Sequence, residues 1–174
     1  FGGDDPPELI AERDALVTSR FRTLMDEAAS GALDRWAGSP HRLLALVLLL
    51  DQFPRHVYRG RARAYAQDSR ALAFTLHALT TGADAALSPA ERLFLYLPLQ
   101  HAESAAMQEE SIAAYRRLQA DAPAQHRKLF DSVLEFAQQH QSVIQRFGRF
   151  PHRNAALSRR STPEEQQFLD TPGA

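Results

Sequence analysis

Apolar residues recur every three or four positions along most of the chain, which is the spacing of one face of an α-helix. The first helix is predicted to start at a cap formed by Asp4 or Asp5, to carry proline in its first turn and to end at Gly31. No strand-like alternation of apolar and polar residues extends beyond a few positions. The pattern therefore predicts an all-α protein.

The second predicted helix is apolar around its whole circumference. It starts at Ser39-Pro40, and residues 43–50 are all apolar. A helix of this kind is covered by protein on every side, so we expect it to lie at the centre of the fold. Because proline interrupts the hydrogen bonds of a helix, we expect this one to end at Pro54 and an irregular segment to follow over residues 54–60.

Capping residues and stop signals predict the remaining helices. Ser88 and Glu91 have the spacing of a capping box, and Thr162 is placed to cap the last helix. The remaining predicted boundaries are Asp68 to Gly82, Ser88 to Pro98, a connector over residues 100–103, a helix ending before Pro123, a helix ending at Gly148, and short helices starting at Pro151 and Pro163.

Short connections between these segments favour antiparallel helix pairs. We therefore predict a single all-α domain over residues 1–174, with about seven or eight helices and tetratricopeptide-like superhelical packing, although the tetratricopeptide consensus residues do not recur at a fixed period. The sequence does not begin with methionine, so we expect the first residues of the protein to be missing from it.

Composition excludes several classes of function. The 174 residues carry 20 basic and 21 acidic side chains, and this balance argues against a nucleic-acid partner. The chain contains no cysteine, which excludes a disulfide framework, a thiol nucleophile and a cysteine-rich zinc site. It has neither a signal-peptide pattern nor an apolar stretch long enough to span a bilayer, so we expect a cytoplasmic protein without a membrane partner.

Two groups of charged residues lie where the helix dipole disfavours them. Asp51 follows the apolar residues at the predicted end of the second helix, and Arg149, His152 and Arg153 surround the predicted start of another. Each misplacement costs about 0.3–1 kcal/mol at an exposed site. An ion pair between Asp51 and either Arg149 or Arg153 would offset the energetic cost of both misplaced charges. On this interpretation the cluster is a structural clasp.

A ligand site is the alternative to a clasp. Arg55, Arg149, Arg153, His152 and Asn154 would form an anion site if they converge, because basic groups there outnumber Asp51. The ligand would then be a small anion or the carboxylate of a peptide. In the peptide case, an open groove would be contacted by a further set of residues, namely Trp36, Tyr58 and Arg59.

An enzyme is the second functional hypothesis. His101 or His152 would move protons near neutral pH, with Glu103 or Asp51 orienting the imidazole and arginines holding an anionic substrate. His140 falls on an apolar seam and is interpreted as a packing residue. No metal-binding motif such as His-Glu-x-x-His occurs, so we expect neither a metal site nor a cofactor.

The shape of the site distinguishes these alternatives. A pocket of a few hundred cubic ångströms near Asp51 and Arg153 favours a small ligand or catalysis, an open groove favours a peptide, and a dry, fully paired cluster favours the clasp. The sequence does not indicate the oligomeric state.

Several segments carry a resemblance to a known family. They are residues 1–2, 44–46, 49–55, 58–60 and 94–99, together with His101, Glu103 and residues 146–154. These segments resemble the bacterial family of domain of unknown function 924, which is described as tetratricopeptide-like. The resemblance implies an all-α, helical-repeat-like fold and no established activity or catalytic residues. Three positions depart from the family pattern, namely His56, Gln100 and Ala102.

Overall fold

The structure, a computed structural model, describes residues 5–171 apart from the side chain of Ala124, and it is all-α over that range. The α-helices are α1 (Pro7–Ser30), α2 (Pro40–Val47), α3 (Phe53–Val57), α4 (Asp68–Thr81), α5 (Pro89–Leu95), α6 (Leu97–His101), α7 (Ala105–Ala120), α8 (Arg127–Phe147) and α9 (Pro163–Leu169). Short 3₁₀ turns connect several of them, at Asp34–Gly38, Ala62–Tyr65, Ala83–Ala86, Ala124–His126 and Pro151–Arg153.

Most helix ends lie where the sequence places them. Gly31, Gly82 and Gly148 close α1, α4 and α8 in the left-handed conformation, with φ of 87°, 72° and 69°. The capping box of Ser88 and Glu91 is present at the start of α5. The start of α1 differs from the prediction, because Pro6 precedes the helix and Asp5 binds Arg13 at 2.6 Å instead of capping it. Asp4 lies outside the described residues.

The central helix does not end at Pro54, so that prediction is wrong. A π-helical turn, Leu48–Gln52, joins α2 directly to α3, and Pro54 lies within α3. In this turn the N–H of Phe53 donates to the carbonyl of Leu48, five residues back. The wider turn accommodates a proline ring that would collide with the carbonyl of an ordinary helix. Asp51 consequently lies inside a continuous helical segment and not at its end.

The central position predicted for this helix is confirmed. Leu43 and Val47 are buried in a cluster with α5, α6, α7 and α8. Leu46 and Leu50 are buried on the opposite side, in a second cluster with α1 and the segment after α3. The apolar circumference of residues 43–50 therefore separates two cores, and this fixes the position of the π turn that follows.

Two backbone segments from distant parts of the chain meet beside that turn. The short helix α6 ends there at His101, between α4, α7 and α8. The turn Pro151–Arg153 returns after α8, and Arg153 donates to the carbonyl oxygen of His101 at 3.0 Å.

Among residues 5–171 there is no helix long and apolar enough to cross a membrane. Tetratricopeptide-like stacking stays a prediction.

Substitution of the central helix tests this arrangement. Leu46→Ala should lower the free energy of unfolding by about 2–5 kcal/mol, because Leu46 is fully buried between neighbouring elements. Urea denaturation measures the loss. Leu16→Ala serves as the control, since Leu16 is 48% exposed on α1, and it should change the free energy by less than about 1 kcal/mol. Equal effects of the two substitutions would contradict a central position for α2.

Candidate functional site

The site is organised around a buried pair formed by Asp51 and His101. Asp51 is fully buried in the π turn, and Nδ1 of His101 lies 2.8 and 3.0 Å from its two carboxylate oxygens. Burial acts to raise the pKa of Asp51, but His101, Arg55 and Gln52 outweigh it and hold the pKa at about 2. An ionised carboxylate only accepts hydrogen bonds, so Nδ1–H of His101 is the donor.

The other ring nitrogen of His101 remains free. Nε2 makes no hydrogen bond to any of residues 5–171, and the side chain is 14% exposed. Burial lowers the pKa of His101, and Asp51 opposes this effect only in part. The imidazole is therefore neutral at pH 7, with a lone pair on Nε2. This is the form in which histidine accepts a proton.

Two buried groups hold the end of α6 that carries His101. Nε2 of Gln108, on α7, donates to the carbonyl oxygens of Gln100 and Ala102, both at 2.8 Å. Arg153 donates to the carbonyl oxygen between them, that of His101. The carbonyls that α6 leaves unpaired at its C-terminus are thus satisfied, and the imidazole is fixed against Asp51.

Asp68 holds the two buried arginines of the site. Arg55 binds both of its carboxylate oxygens, at 3.1 and 3.0 Å, and Arg153 binds one of them at 3.2 Å. Burial raises the pKa of Asp68, and the two arginines limit the rise. The sequence interpretation of Asp68 as a helix cap is wrong: it is the first residue of α4, and its carboxylate takes arginines and not the helix N–H groups.

The sequence predicted more basic than acidic groups in this cluster, but each of its arginines has an aspartate partner. Asp51 and Asp68 match Arg55 and Arg153, while Arg59 binds Asp14 through two hydrogen bonds of 2.9 Å each. The guanidinium group of Arg153 also makes cation–π contacts with Tyr65 and Phe150, whose ring centroids each lie 4.7 Å away.

A cleft of about 300 Å³ lies in front of this network. The acids of the network do not line it: Asp51 is fully buried, and Asp68 and Asp14, each 20% exposed, are not among the lining residues. Among the described residues that line the cleft none is acidic. They are Arg55, Arg59, Gly60, Ala64, Tyr65, His101, Phe136, His140, His152 and Arg153. The face that a ligand meets is consequently positive.

The predicted pair between Asp51 and Arg149 or Arg153 is not the pair that forms. Arg153 reaches the same network, but through Asp68 and the backbone of His101. Arg149 lies elsewhere and binds Glu165 at 2.6 and 2.8 Å. The sequence could not rank these arginines, because each lies about a hundred positions from Asp51 and both fit the same electrostatic argument.

Two other predicted site residues belong to the anchorage of the C-terminal segment. Asn154 is buried, donates to Glu165 and accepts from Arg159. Glu103 accepts two hydrogen bonds from Arg159, at 2.7 and 3.0 Å, and one from the backbone N–H of Phe150 at 2.8 Å. Burial acts to raise the pKa of Glu103, but Arg159 and Phe150 lower it overall. These contacts form a clasp beside the cleft.

Tyr65 and Phe136 line the cleft although they carried no sequence signal of their own, and His140 has a role beyond packing. His140 packs its ring edge-to-face against Phe136 and Phe150, with centroids 4.6 and 5.4 Å apart, as its interpretation as a packing residue predicts. It also lines the cleft, where its ring centroid is 6.5 Å from that of His101. Loss of hydration and the nearby Arg153 and His140 lower the pKa of His152.

Residues 5–171 contain no group of three or more His, Asp or Glu side chains placed to hold a metal ion.

The structure is thus a helical protein with a buried Asp–His pair behind an arginine-lined cleft, and comparison with known proteins places it in a family. The family model described as bacterial protein of unknown function (DUF924) matches residues 9–173, and the chain belongs to this family. A solved structure of a protein of unknown function from Agrobacterium tumefaciens is similar, with 41% sequence identity and a TM-score of 0.82. The match covers 92% of this chain and 85% of that chain. Curated proteins give no match.

Removal of the buried carboxylate tests the network. Asp51→Ala should lower the free energy of unfolding at pH 7 by about 3–5 kcal/mol, because it leaves the buried His101 without its acceptor and Arg55 with Asp68 alone. The control is Asp26→Ala, whose carboxylate is 51% exposed beside Arg63 and should contribute less than about 1 kcal/mol.

The pH dependence of this difference follows from the lowered pKa of Asp51. A carboxyl group whose pKa falls from 3.8 to about 2 on folding stabilises the protein above pH 3.8 and loses this effect as the pH falls through 2. The difference between wild type and Asp51→Ala should therefore shrink below about pH 4. A difference that is the same at pH 7 and at the lowest accessible pH would contradict an ionised Asp51.

Proposed function

We propose that the cleft beside Asp51 and His101 binds a small anionic ligand. The observation that carries this proposal is the composition of the lining, in which Arg55, Arg59 and Arg153 take part and none of their acidic partners does. An anion in the cleft meets positive groups first, and it displaces none of the buried carboxylates.

Arg59, which lines the cleft, has an unused hydrogen-bond donor. Nε and Nη2 of Arg59 bind Asp14, and Nη1 has no partner among residues 5–171. Asp14 also binds Nδ1 of His56 at 2.8 Å, so its position is set by two groups. A guanidinium that is already held in place loses less conformational entropy when it binds a phosphate or carboxylate.

The size of the cleft supports a small ligand over a peptide. A volume of about 300 Å³ lies at the lower end of the range for small-molecule sites. Of the residues expected to contact a peptide, Tyr58 is only 8% exposed and packs in the second core, where Trp36 also packs. The aromatic surface on which the peptide alternative depended is therefore mostly covered.

Isothermal titration of the full chain with inorganic phosphate tests this proposal. Arg59→Gln should weaken binding by at least about tenfold, because it removes one charge-assisted hydrogen bond. Arg63→Gln is the matched control, since both arginine side chains are 56% exposed and each is paired with one aspartate. Arg63 does not line the cleft, so its substitution should leave the affinity unchanged. Failure of phosphate, sulfate and acetate to bind, or equal loss in the two variants, would contradict the proposal.

General acid/base catalysis on the bound anion is a second candidate function, and the Asp51–His101 pair favours it. In this mechanism Nε2 of His101 takes a proton from water or from a substrate hydroxyl, and Asp51 stabilises the imidazolium that results. His101 suits this role better than His152, because the ring of His152 has no hydrogen bond to any described residue that would orient it.

Hydrolysis assays with phosphate and carboxylate esters test the catalytic role. His101→Gln should lower kcat by about 10²–10⁴-fold, and His77→Gln, at an exposed position on α4, should leave it unchanged. Because the pKa of His101 is lowered, the wild-type rate should fall at acidic pH as Nε2 becomes protonated, with its midpoint below the ordinary pKa of histidine. A rate that rises as the pH is lowered would contradict a general base at this position.

A further inference from the structure

A second cavity, of about 480 Å³, adjoins the cleft. Phe136, His140 and His152 line both of them, so these three side chains form the boundary between the two spaces. The other residues that line the second cavity are Gln139, Ser142, Val143, Phe150 and Phe168. It is built by the outer face of α8, by the turn after α8 and by α9.

The character of the lining changes at this boundary. The cleft presents three arginines, whereas none of the described residues that line the second cavity is Asp, Glu, Lys or Arg. Phe136 is 43% exposed at the boundary, an unusually large uncovered area for an aromatic side chain. Beside it, the ring of His140 is held between Phe136 and Phe150, and burial keeps its pKa below the ordinary value.

We propose that the ligand of this protein is amphipathic, with an anionic head in the arginine-lined cleft and an aromatic or short alkyl group in the adjoining cavity. This inference rests on the proposed function and adds the chemical class of the ligand. The three shared lining residues favour a single molecule as the occupant, because a ligand that extends from one space into the other would contact Phe136, His140 and His152 along its length.

The distances are those of a compact molecule. The ring centroids of His101 and His140 are 6.5 Å apart, so the Asp51–His101 pair lies close to the boundary of the second cavity. A head group that reaches Nε2 of His101 is therefore joined to its apolar part by a short linker. Organic carboxylates and phosphates with an aryl or branched alkyl substituent have this form.

Titration of the full chain with two phosphonates tests the inference. Methylphosphonate supplies the head alone, and benzylphosphonate adds a ring that the second cavity should bury. Benzylphosphonate should bind at least about tenfold more tightly, because burying the ring removes apolar surface from water. In Phe136→Ala the ratio of the two dissociation constants should fall towards one. Leu129→Ala is the control on the same helix, with the same 43% exposure, and it should keep the wild-type ratio.

A second variant keeps the test independent of Phe136. Val143→Asp places a charge in the uncharged second cavity and should likewise reduce the ratio. Circular dichroism spectra of all variants report whether α8 is retained.

Each other outcome overturns a defined part of the account. If the wild type binds the two phosphonates with equal affinity, the ligand has no apolar group in the second cavity, and the proposed anion site is unaffected. A preference for benzylphosphonate that survives both Phe136→Ala and Val143→Asp places the ring elsewhere. If a second copy of the chain fills the cavity instead, benzylphosphonate gains nothing and Phe136→Ala converts a dimer to a monomer in sedimentation experiments. Failure of both phosphonates to bind overturns the proposed function itself.

Discussion

The burial of one ionised carboxylate sets the conditions for the rest of the site. Asp51 is removed from water inside a central helix, where an unpaired charge would cost several kcal/mol. Its charge is retained because His101, Arg55 and Gln52 all converge on it. These partners come from α6, from the next helical turn and from its own π turn, so the carboxylate joins the two cores that the central helix separates.

The π turn and the site are linked through Pro54. In a regular α-helix a proline at this position would break the hydrogen-bond ladder, and the helix would end soon after its apolar segment. The π turn lets the helix continue to Val57 and keeps Asp51 on the side that faces α6. Such turns inside α-helices are often found at functional sites.

Acidic and basic members of the network differ in their access to the cleft. Arg55, Arg59 and Arg153 line it, whereas their partners Asp51, Asp68 and Asp14 do not. The network is nearly neutral as a whole, yet only its basic members line the cleft. This difference explains how one cluster serves both interpretations drawn from the sequence: it stabilises the fold as a clasp does, and it presents a positive wall to a ligand.

Sequence reasoning succeeded where the determinants are local. Gly31, Gly82, Gly148 and the capping box at Ser88 all act within a few residues, and the circumference of residues 43–50 predicted the central helix. It failed at Pro54, because the hydrophobic pattern does not distinguish a π turn from a helix end. The clasp hypothesis chose the wrong partner for Asp51, whereas the enzyme hypothesis included the pair with His101 but could not rank it above His152 or Glu103. The role of His140 in the cleft and that of Asp68 in holding Arg55 and Arg153 depend on how distant elements pack, so no local spacing reveals them.

The protonation state of the imidazole of His101 tests the central claim most directly. Nitrogen-15 NMR of labelled histidine at pH 7 distinguishes the two ring nitrogens and reports which one carries the proton. With Asp51 ionised and accepting from His101, Nδ1 is protonated and Nε2 is not, and Asp51→Asn removes this preference. A proton on Nε2 in the wild-type protein, or a spectrum that Asp51→Asn leaves unchanged, would contradict the account.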